Sequence, residues 1–376
     1  MDPDEERATM KRRDFLKRTA LGAATGGALA GCAPTETRTA ATGERPQVAW
    51  RLASSYPPSL DTIFGAATVL ADRVAELTGG RFSIRVAAPG EIVPGLQVMD
   101  AVQQGSVQAG HTAGYYFIGK HPALVFDTSV PFGLTARQQL AWLYEGGGLE
   151  LLREVYADFN IISFPGGTTG AQMGGWFRDV IESVDDLKGL KMRIPGMGGK
   201  VMDRLGVSVQ VLAGGEIYQA LERSTIDAAE WVGPYDDENL GFHKIAKNYY
   251  YPGWWEPGAT LTFQVNRDAW DKLPGEYQAA FETATIESSL RMMAQYDALN
   301  PAALTRLLQQ GVVLRRFSDD IMDAANRENT DLMETLASED AAFRKIHDAW
   351  TSFRDESVRW FGTAEVAIIN YASGKG

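Results

Sequence analysis

The sequence predicts an α/β fold of about two domains, on three observations. Its 376 residues are about two domains at roughly 100–200 residues each. From Val48 onward, apolar alternation and helical spacing succeed one another in the order βαβαβ, which implies a mainly parallel sheet with helices on its faces. Residues 274–310 then carry a long helical pattern, about 50 Å at about 1.5 Å per residue. That exceeds the width of a small domain, so the helix links two lobes or reaches a second subunit.

Residues 48–54 alternate as a strand, and residues 60–77 hold apolar side chains at helical spacing before Gly79-Gly80, which reads as a C-terminal cap. A strand at 82–87, a helix at 96–104 and a strand at 109–112 complete the first unit. Helices at 136–144 and 149–159 lead to a strand at 161–164. A strand at 192–194, helices at 199–205 and 216–223, and a strand at 228–231 follow. The long helix opens beside Pro274, has Pro301 as a candidate interruption and stops at Gly311. Ser318-Asp319-Asp320 supplies an N-cap and acidic first turn for a helix at 318–336, and 341–361 is the last helix.

The formal charge of -12 argues against nucleic acid as a partner, because phosphate is repelled by an acidic surface. One Cys, with no CxxC or Cys/His cluster, excludes an internal disulfide and a zinc site. That residue, Cys32, lies in an export signal. Lys11-Arg12-Arg13-Asp14-Phe15-Leu16-Lys17 is a twin-arginine pattern, and the Ala- and Gly-rich stretch 19–31 behind it is short of the ~18 residues of a membrane span. Leu29-Ala30-Gly31-Cys32 has the form of a lipobox, in which Cys32 is lipidated and becomes the new N-terminus. The plainer alternative is cleavage later, near Ala40-Ala41. Residues 1–31 are thus expected to be a Tat signal peptide, with Met10 as the start of translation, and residues 32–46 a flexible tether.

Familiar catalytic patterns are missing. There is no GxSxG, no HExxH and no Cys/His pair placed for nucleophilic attack. Gly196-Met197-Gly198-Gly199-Lys200 departs from a P-loop at both ends, with Ile194 and Val201 where Gly and Ser/Thr belong. The glycines between Gly166 and Gly175 mark a close backbone crossing instead. His121, His243 and His347 suit surface or packing roles, while His111 lies in a richer stretch. Aromatic, glycine and charged residues concentrate at 110–116, 170–177 and 228–256. Glu230 precedes Trp231, and Glu256 follows a run of Tyr and Trp. A carboxylate in such surroundings must be paired, protonated or bound to a cation. Arg193, between Met192 and Ile194 at a strand end, offers a planar fork for a carboxylate; the alternative is an interdomain salt bridge.

At this point a resemblance is specific. WRLASSYPPSLDTIFGAA (50–67), GEIVPGLQVMDAVQ (90–103), HTAGYYFIGK (111–120), FPGGTTGAQMGGWFR (164–178), DLKGLKMRIPG (186–196), DAAEWVGPYDDENLGF (227–242) and YYYPGWWEPG (249–258) resemble the solute receptors of tripartite ATP-independent periplasmic (TRAP) transporters, and closely their α-keto acid branch. The resemblance implies a two-lobed, type II-like periplasmic binding fold. Residues 47–168 with part of 262–315 form one lobe, and 169–261 with part of 316–376 the other. It implies that Arg193 clamps the ligand carboxylate, and that Gln172 contacts both ligand and cation. Glu230, the Trp231 carbonyl and Glu256 complete the cation site, and Tyr115 and Tyr116 line the pocket. Pro257, directly after Glu256, departs from the pattern and puts that carboxylate's approach in doubt.

The expected ligand is a 2-oxo monocarboxylate such as pyruvate, and the expected partners are the membrane subunits of a TRAP transporter and a second copy of the chain in a homodimer. The all-oxygen set suits Na⁺ or Ca²⁺; the resemblance favours Na⁺, whereas two Glu, one Arg and a ligand carboxylate reach neutrality only with Ca²⁺. The rival readings are a receptor for lactate or another 2-hydroxy acid with Ca²⁺ and, from a different class, a secreted hydrolase using Glu230 and Glu256 as acid and base. No enzymatic activity is expected.

Overall fold

The computed structural model describes residues 45–374. The export signal, Cys32 and the tether as far as residue 44 lie outside the described residues. The βαβαβ start is realised by β1 (Val48–Ser54), α1 (Ile63–Leu77), β2 (Phe82–Ala87), α2 (Val98–Gln103) and β3 (Ala109–Thr112). Both β2 and β3 run parallel to β1. Helices α3 (Val125–Thr128), α4 (Ala136–Glu145) and α5 (Gly148–Ala157) lead to β4 (Ile161–Thr168).

The chain then crosses to a second sheet. Its elements are β5 (Trp176–Phe177), β6 (Lys191–Arg193), α6 (Gly196–Arg204), β7 (Ser208–Gln210), α7 (Gly214–Glu222), β8 (Ala228–Ala229), α8 (Pro234–Leu240) and β9 (Asn248–Tyr251). A return crossing brings β10 (Thr260–Asn266) into the first sheet. After α9 (Arg267–Trp270) and the 35-residue α10 (Gly275–Gln309), β11 (Val313–Arg316) joins the second sheet, and α11 (Asp319–Glu339), α12 (Ala341–Phe361) and α13 (Ala367–Ala372) end the fold. The strand orders are β2-β1-β3-β10-β4 and β11-β9-β5-β8-β6-β7. Two sheets flanked by helices make the fold two-lobed α/β.

Each sheet contains an antiparallel intruder. β10 pairs antiparallel with β3 and β4, and β5 does so with β8 and β9. β10 alternates the apolar Leu261, Phe263 and Val265 with Thr260, Thr262, Gln264 and Asn266, and both of its faces are buried. Their polar groups find partners distant in sequence, as when the Thr262 hydroxyl donates to Asp127 and the Gln264 amide to the Tyr156 hydroxyl at 3.3 Å. Pro301, the candidate interruption, does not break α10, which runs unbroken from Gly275 to Gln309. Its missing N–H costs about 3 kcal/mol in a helix interior, and burial of Tyr296, Ala303 and Leu307 on one face outweighs that cost. The first half of α10 packs Tyr277, Phe281 and Ala284 against Trp50 and Phe82, and its second half packs Tyr296 and Leu307 with Trp231 and Phe242. The helix therefore spans both lobes.

Candidate solute and cation site

Four chain segments meet where the two sheets face one another. Two are strand ends: Arg193 closes β6, and Glu230 and Trp231 leave the ladder just after β8. The other two are the crossings between sheets, which carry Gln172 and Glu256. The crossings are bound together, because the Gln172 N–H donates to the Glu256 carbonyl at 3.1 Å and the Gly253 N–H to the Gln172 carbonyl at 3.1 Å. Contact there is so close that a Cβ on Gly253 would stand 2.5 Å from the Gln172 oxygen. Gly175, at φ +81°, likewise lets β5 lie against Ala229, whose oxygen would be 2.7 Å from a Cβ. The glycine-rich run is thus a close crossing, as its composition suggests.

Arg193 and Glu230 form a buried ion pair within the second sheet rather than between lobes. One guanidinium nitrogen, Nη1, donates to the Glu230 carboxylate and to its carbonyl at 3.0 Å, and Nε donates to the Leu212 carbonyl at 3.1 Å. The guanidinium also lies 5.2 Å from the centre of the Trp231 ring. What remains is Nη2, buried and outside these bonds, with Tyr116 a further side-chain partner of the guanidinium. Gln172 Oε1, Glu230 Oε2 and Glu256 Oε2 are also buried and unpartnered. The Gln172 amide is oriented by its Nε2 donating to Thr169 Oγ1 at 3.2 Å, which leaves the oxygen for the site. Pro257 does not carry Glu256 away, since its carboxyl is buried and feels Glu230, Arg193, Tyr115 and Gln172.

Electrostatics here are under-neutralised. Burial pushes the Glu230 carboxyl up to about 7 even with Arg193 beside it. Glu256 is raised well above the carboxylate range, first by burial and then by Glu230, with Arg193, Tyr115 and Gln172 offsetting only part. Two carboxyls share one guanidinium, and a cation would favour the ionised form of both. The donor set of two carboxylate oxygens and an amide oxygen fits a hard cation and not zinc. Among the described residues no cluster of three or more His, Cys, Asp or Glu is present.

Tyr115, Tyr116, Gln172, Arg193 and Trp231 wall one cavity, joined by Tyr56, Thr169 and Leu261. By the measure in which one water needs about 10–15 Å³, its volume is about 10 Å³. The lobes are closed on it. Tyr56 and Thr169 escaped the sequence reading although both lie in motifs quoted above: Tyr56 follows β1 with its hydroxyl buried and unpartnered, and Thr169 acts only by orienting Gln172. Of the histidines, His111 is fully buried with Nε2 on the Gly166 carbonyl at 2.8 Å, behind Tyr56. His243 and His347 are packed, and His121 caps a turn through Ala123.

The profile of the bacterial extracellular solute-binding proteins, family 7 (DctP), matches residues 53–340. The chain belongs to this family. Relatives within it are close. A monocarboxylate 2-oxoacid-binding periplasmic protein of Nostoc sp. is 58% identical over 364 residues, covering 97% of this chain and 99% of that protein. A TRAP transporter solute-binding protein from Bordetella bronchiseptica superposes with a TM-score of 0.87 at 49% identity, covering 88% of this chain and 98% of that one. Its crystals hold a mixed-occupancy dimer, with copurified calcium and picolinate in one active site and an apo site. A TRAP periplasmic solute-binding protein from Pseudoalteromonas atlantica, bound to sodium and pyruvate, has a TM-score of 0.84 at 42% identity, covering 86% and 99%. In this chain Tyr115, Tyr116, Gln172, Arg193 and Trp231 wall the cavity, and Glu230 and Glu256 are buried beside Arg193.

Proposed function

We propose that this protein is an extracytoplasmic receptor that binds a 2-oxo monocarboxylate of the pyruvate type together with Na⁺ or Ca²⁺ and delivers it to the membrane subunits of a TRAP transporter. One observation carries the reading. Beside a small cavity walled by Gln172 and Arg193 stand a buried guanidinium nitrogen, Arg193 Nη2, and three buried, unpartnered oxygens on Gln172, Glu230 and Glu256. Arg193 holds the ligand carboxylate, with Glu230 and Trp231 fixing the fork's orientation. Gln172, Glu230, Glu256 and the Trp231 carbonyl hold the cation, which when bound supplies a positive centre for the 2-oxo and one carboxylate oxygen. Tyr115 and Tyr116 face the rest of the ligand. The close relatives described above, one named for 2-oxoacids and one bound to pyruvate, support this choice over a 2-hydroxy acid.

A cavity of about 10 Å³ does not hold six heavy atoms, so ligand entry and lobe opening are one process. Tryptophan fluorescence or calorimetry with pyruvate and lactate, in sodium and then in calcium, tests the assignment. Pyruvate is expected to bind at about micromolar affinity, the limit for a ligand of that size, and only with one of the cations. Absence of pyruvate binding in both salts overturns it.

The reading extends to location and assembly. Export through the twin-arginine signal and lipidation of Cys32 place the receptor outside the cytoplasmic membrane, and mass spectrometry of the mature N-terminus detects the lipid. Among the described residues no helix is long and apolar enough to cross a membrane. The C-terminal segment exposes Trp360, Ile368, Ile369 and Tyr371 together, an apolar surface that a second copy of the chain covers in a homodimer.

A further inference from the structure

Trp231 is held at two points by consecutive residues of α8. Asp236 accepts from its indole at 3.3 Å, and Asp237 Oδ1 accepts from the N–H of the next residue, Val232, at 3.3 Å. The Val232 N–H and the Trp231 carbonyl belong to one trans peptide plane and point in opposite directions. Whatever fixes that N–H therefore aims that carbonyl. The carbonyls on either side are already used, since that of Glu230 accepts from Arg193 Nη1 at 3.0 Å and that of Val232 from the Met173 N–H at 2.9 Å. Among the described residues no backbone N–H donates to the Trp231 carbonyl between them.

Asp237 is itself locked in place. Trp176 and Tyr249 face each other across the β5–β9 ladder with rings stacked 4.0 Å apart, and the Trp176 indole and Tyr249 hydroxyl both donate to Asp237 Oδ2, at 2.9 and 2.7 Å. The side chain is buried. Its partners, the Gly233 N–H included, all donate to it, which a carboxylate satisfies and an amide does not. In Asp237→Asn the Trp176 N–H, a donor only, keeps the amide oxygen, and the amide nitrogen is left facing the Val232 N–H.

We propose that Asp237 is a positioning residue of the cation site, which holds the Val232 N–H from behind and so aims the Trp231 carbonyl at the cation. The inference rests on the cation-assisted reading above and deepens it by naming what orients a ligand that no side chain supplies. An outer partner of this kind is worth about 10–100-fold in metal affinity.

Two measurements on the whole receptor test it, and the first needs no cation. Hydrogen exchange at the Val232 amide, followed by NMR in cation-free protein, is expected to quicken about tenfold in Asp237→Asn. Calorimetric titration of pyruvate at graded sodium and calcium concentrations is expected to show that variant needing about 10–100-fold more cation. Its pyruvate affinity at saturating cation should change far less, because Arg193 keeps its own bonds to Glu230 and Leu212. Tyr249→Phe, which keeps the ring stack and removes one bond to Asp237, is expected to shift the cation requirement the same way by a smaller factor; it decides the matter if circular dichroism shows Asp237→Asn unfolded. An unchanged cation requirement in the folded variant overturns the proposal, and so does unchanged exchange at Val232. A loss of pyruvate affinity at saturating cation as large as the shift in cation requirement also overturns it, because that is the mark of a purely structural residue. Wild-type protein that binds no pyruvate in either salt overturns the proposal together with the function it rests on.

Discussion

Glu256 is the residue where function costs stability. Its carboxyl is buried, faces Glu230 across the site and is left with one oxygen unpartnered. Glu256→Gln puts a neutral amide of the same shape there, and should therefore stabilise the cation-free protein by roughly 1 kcal/mol while abolishing the cation dependence of ligand binding. Thermal melts and titrations on this variant, with and without sodium and calcium, check both halves; a less stable variant would contradict the electrostatic account. His111 makes a second residue-scale prediction. Burial lowers its imidazole from 6.5 to about 4, so the unfolded chain takes up a proton that the folded one refuses. Stability is lost as pH falls through the window between 6.5 and 4, by about 2 kcal/mol at pH 5. His111→Gln should remove that share of the acid sensitivity, read from urea midpoints at pH 7 and pH 5.

Helix α8 ties the two lobes at the scale of elements. It follows the β8 end that carries Glu230 and Trp231, and Asp236 within it accepts from the Tyr296 hydroxyl of α10 at 2.8 Å and from the Trp231 indole at 3.3 Å. At its outer side the Tyr235 hydroxyl donates to Asp61, 3.0 and 3.1 Å from the two carboxylate oxygens, just ahead of α1 in the other lobe. This hydrogen bond exists only with the lobes together, and an exposed charged contact is worth about 1 kcal/mol. Tyr235→Phe should thus raise Kd about fivefold, almost wholly through faster release, because the site itself is untouched. Stopped-flow dissociation measures this, and an unchanged release rate would show that the latch does not hold the closed form. Asp236 and Asp237 belong to one of the motifs that carry the resemblance, yet nothing local marks them as buried groups held by Tyr296, Trp176 and Tyr249.

On the scale of the whole molecule, the long helix and the C-terminal helices divide the work. Helix α10 packs into both lobes, whereas the segment after Val358 carries Trp360, Ile368, Ile369 and Tyr371 in contact with solvent. Deleting the chain from Ser357 onward should convert the proposed dimer to a monomer that still binds its ligand, since the residues proposed to hold ligand and cation all lie before Pro257. Light scattering with a binding titration tests this; a dimer that survives the deletion points to the exposed Ile286 and Leu290 on α10 instead.

By itself the sequence determined the order of the main elements. The βαβαβ start, the long helix and the Ser318-capped helix follow from periodicity and capping, which record how each residue is buried by its own neighbours. It also named, through the resemblance, the residues that meet at the cleft. Tertiary structure alone decided how distant segments join: β10 inserted antiparallel among parallel strands with polar residues turned inward, helix α10 carried unbroken through Pro301, and Arg193 paired with Glu230 inside one sheet. Such pairings depend on crossings between sheets, and no local periodicity records which strand end a crossing will reach.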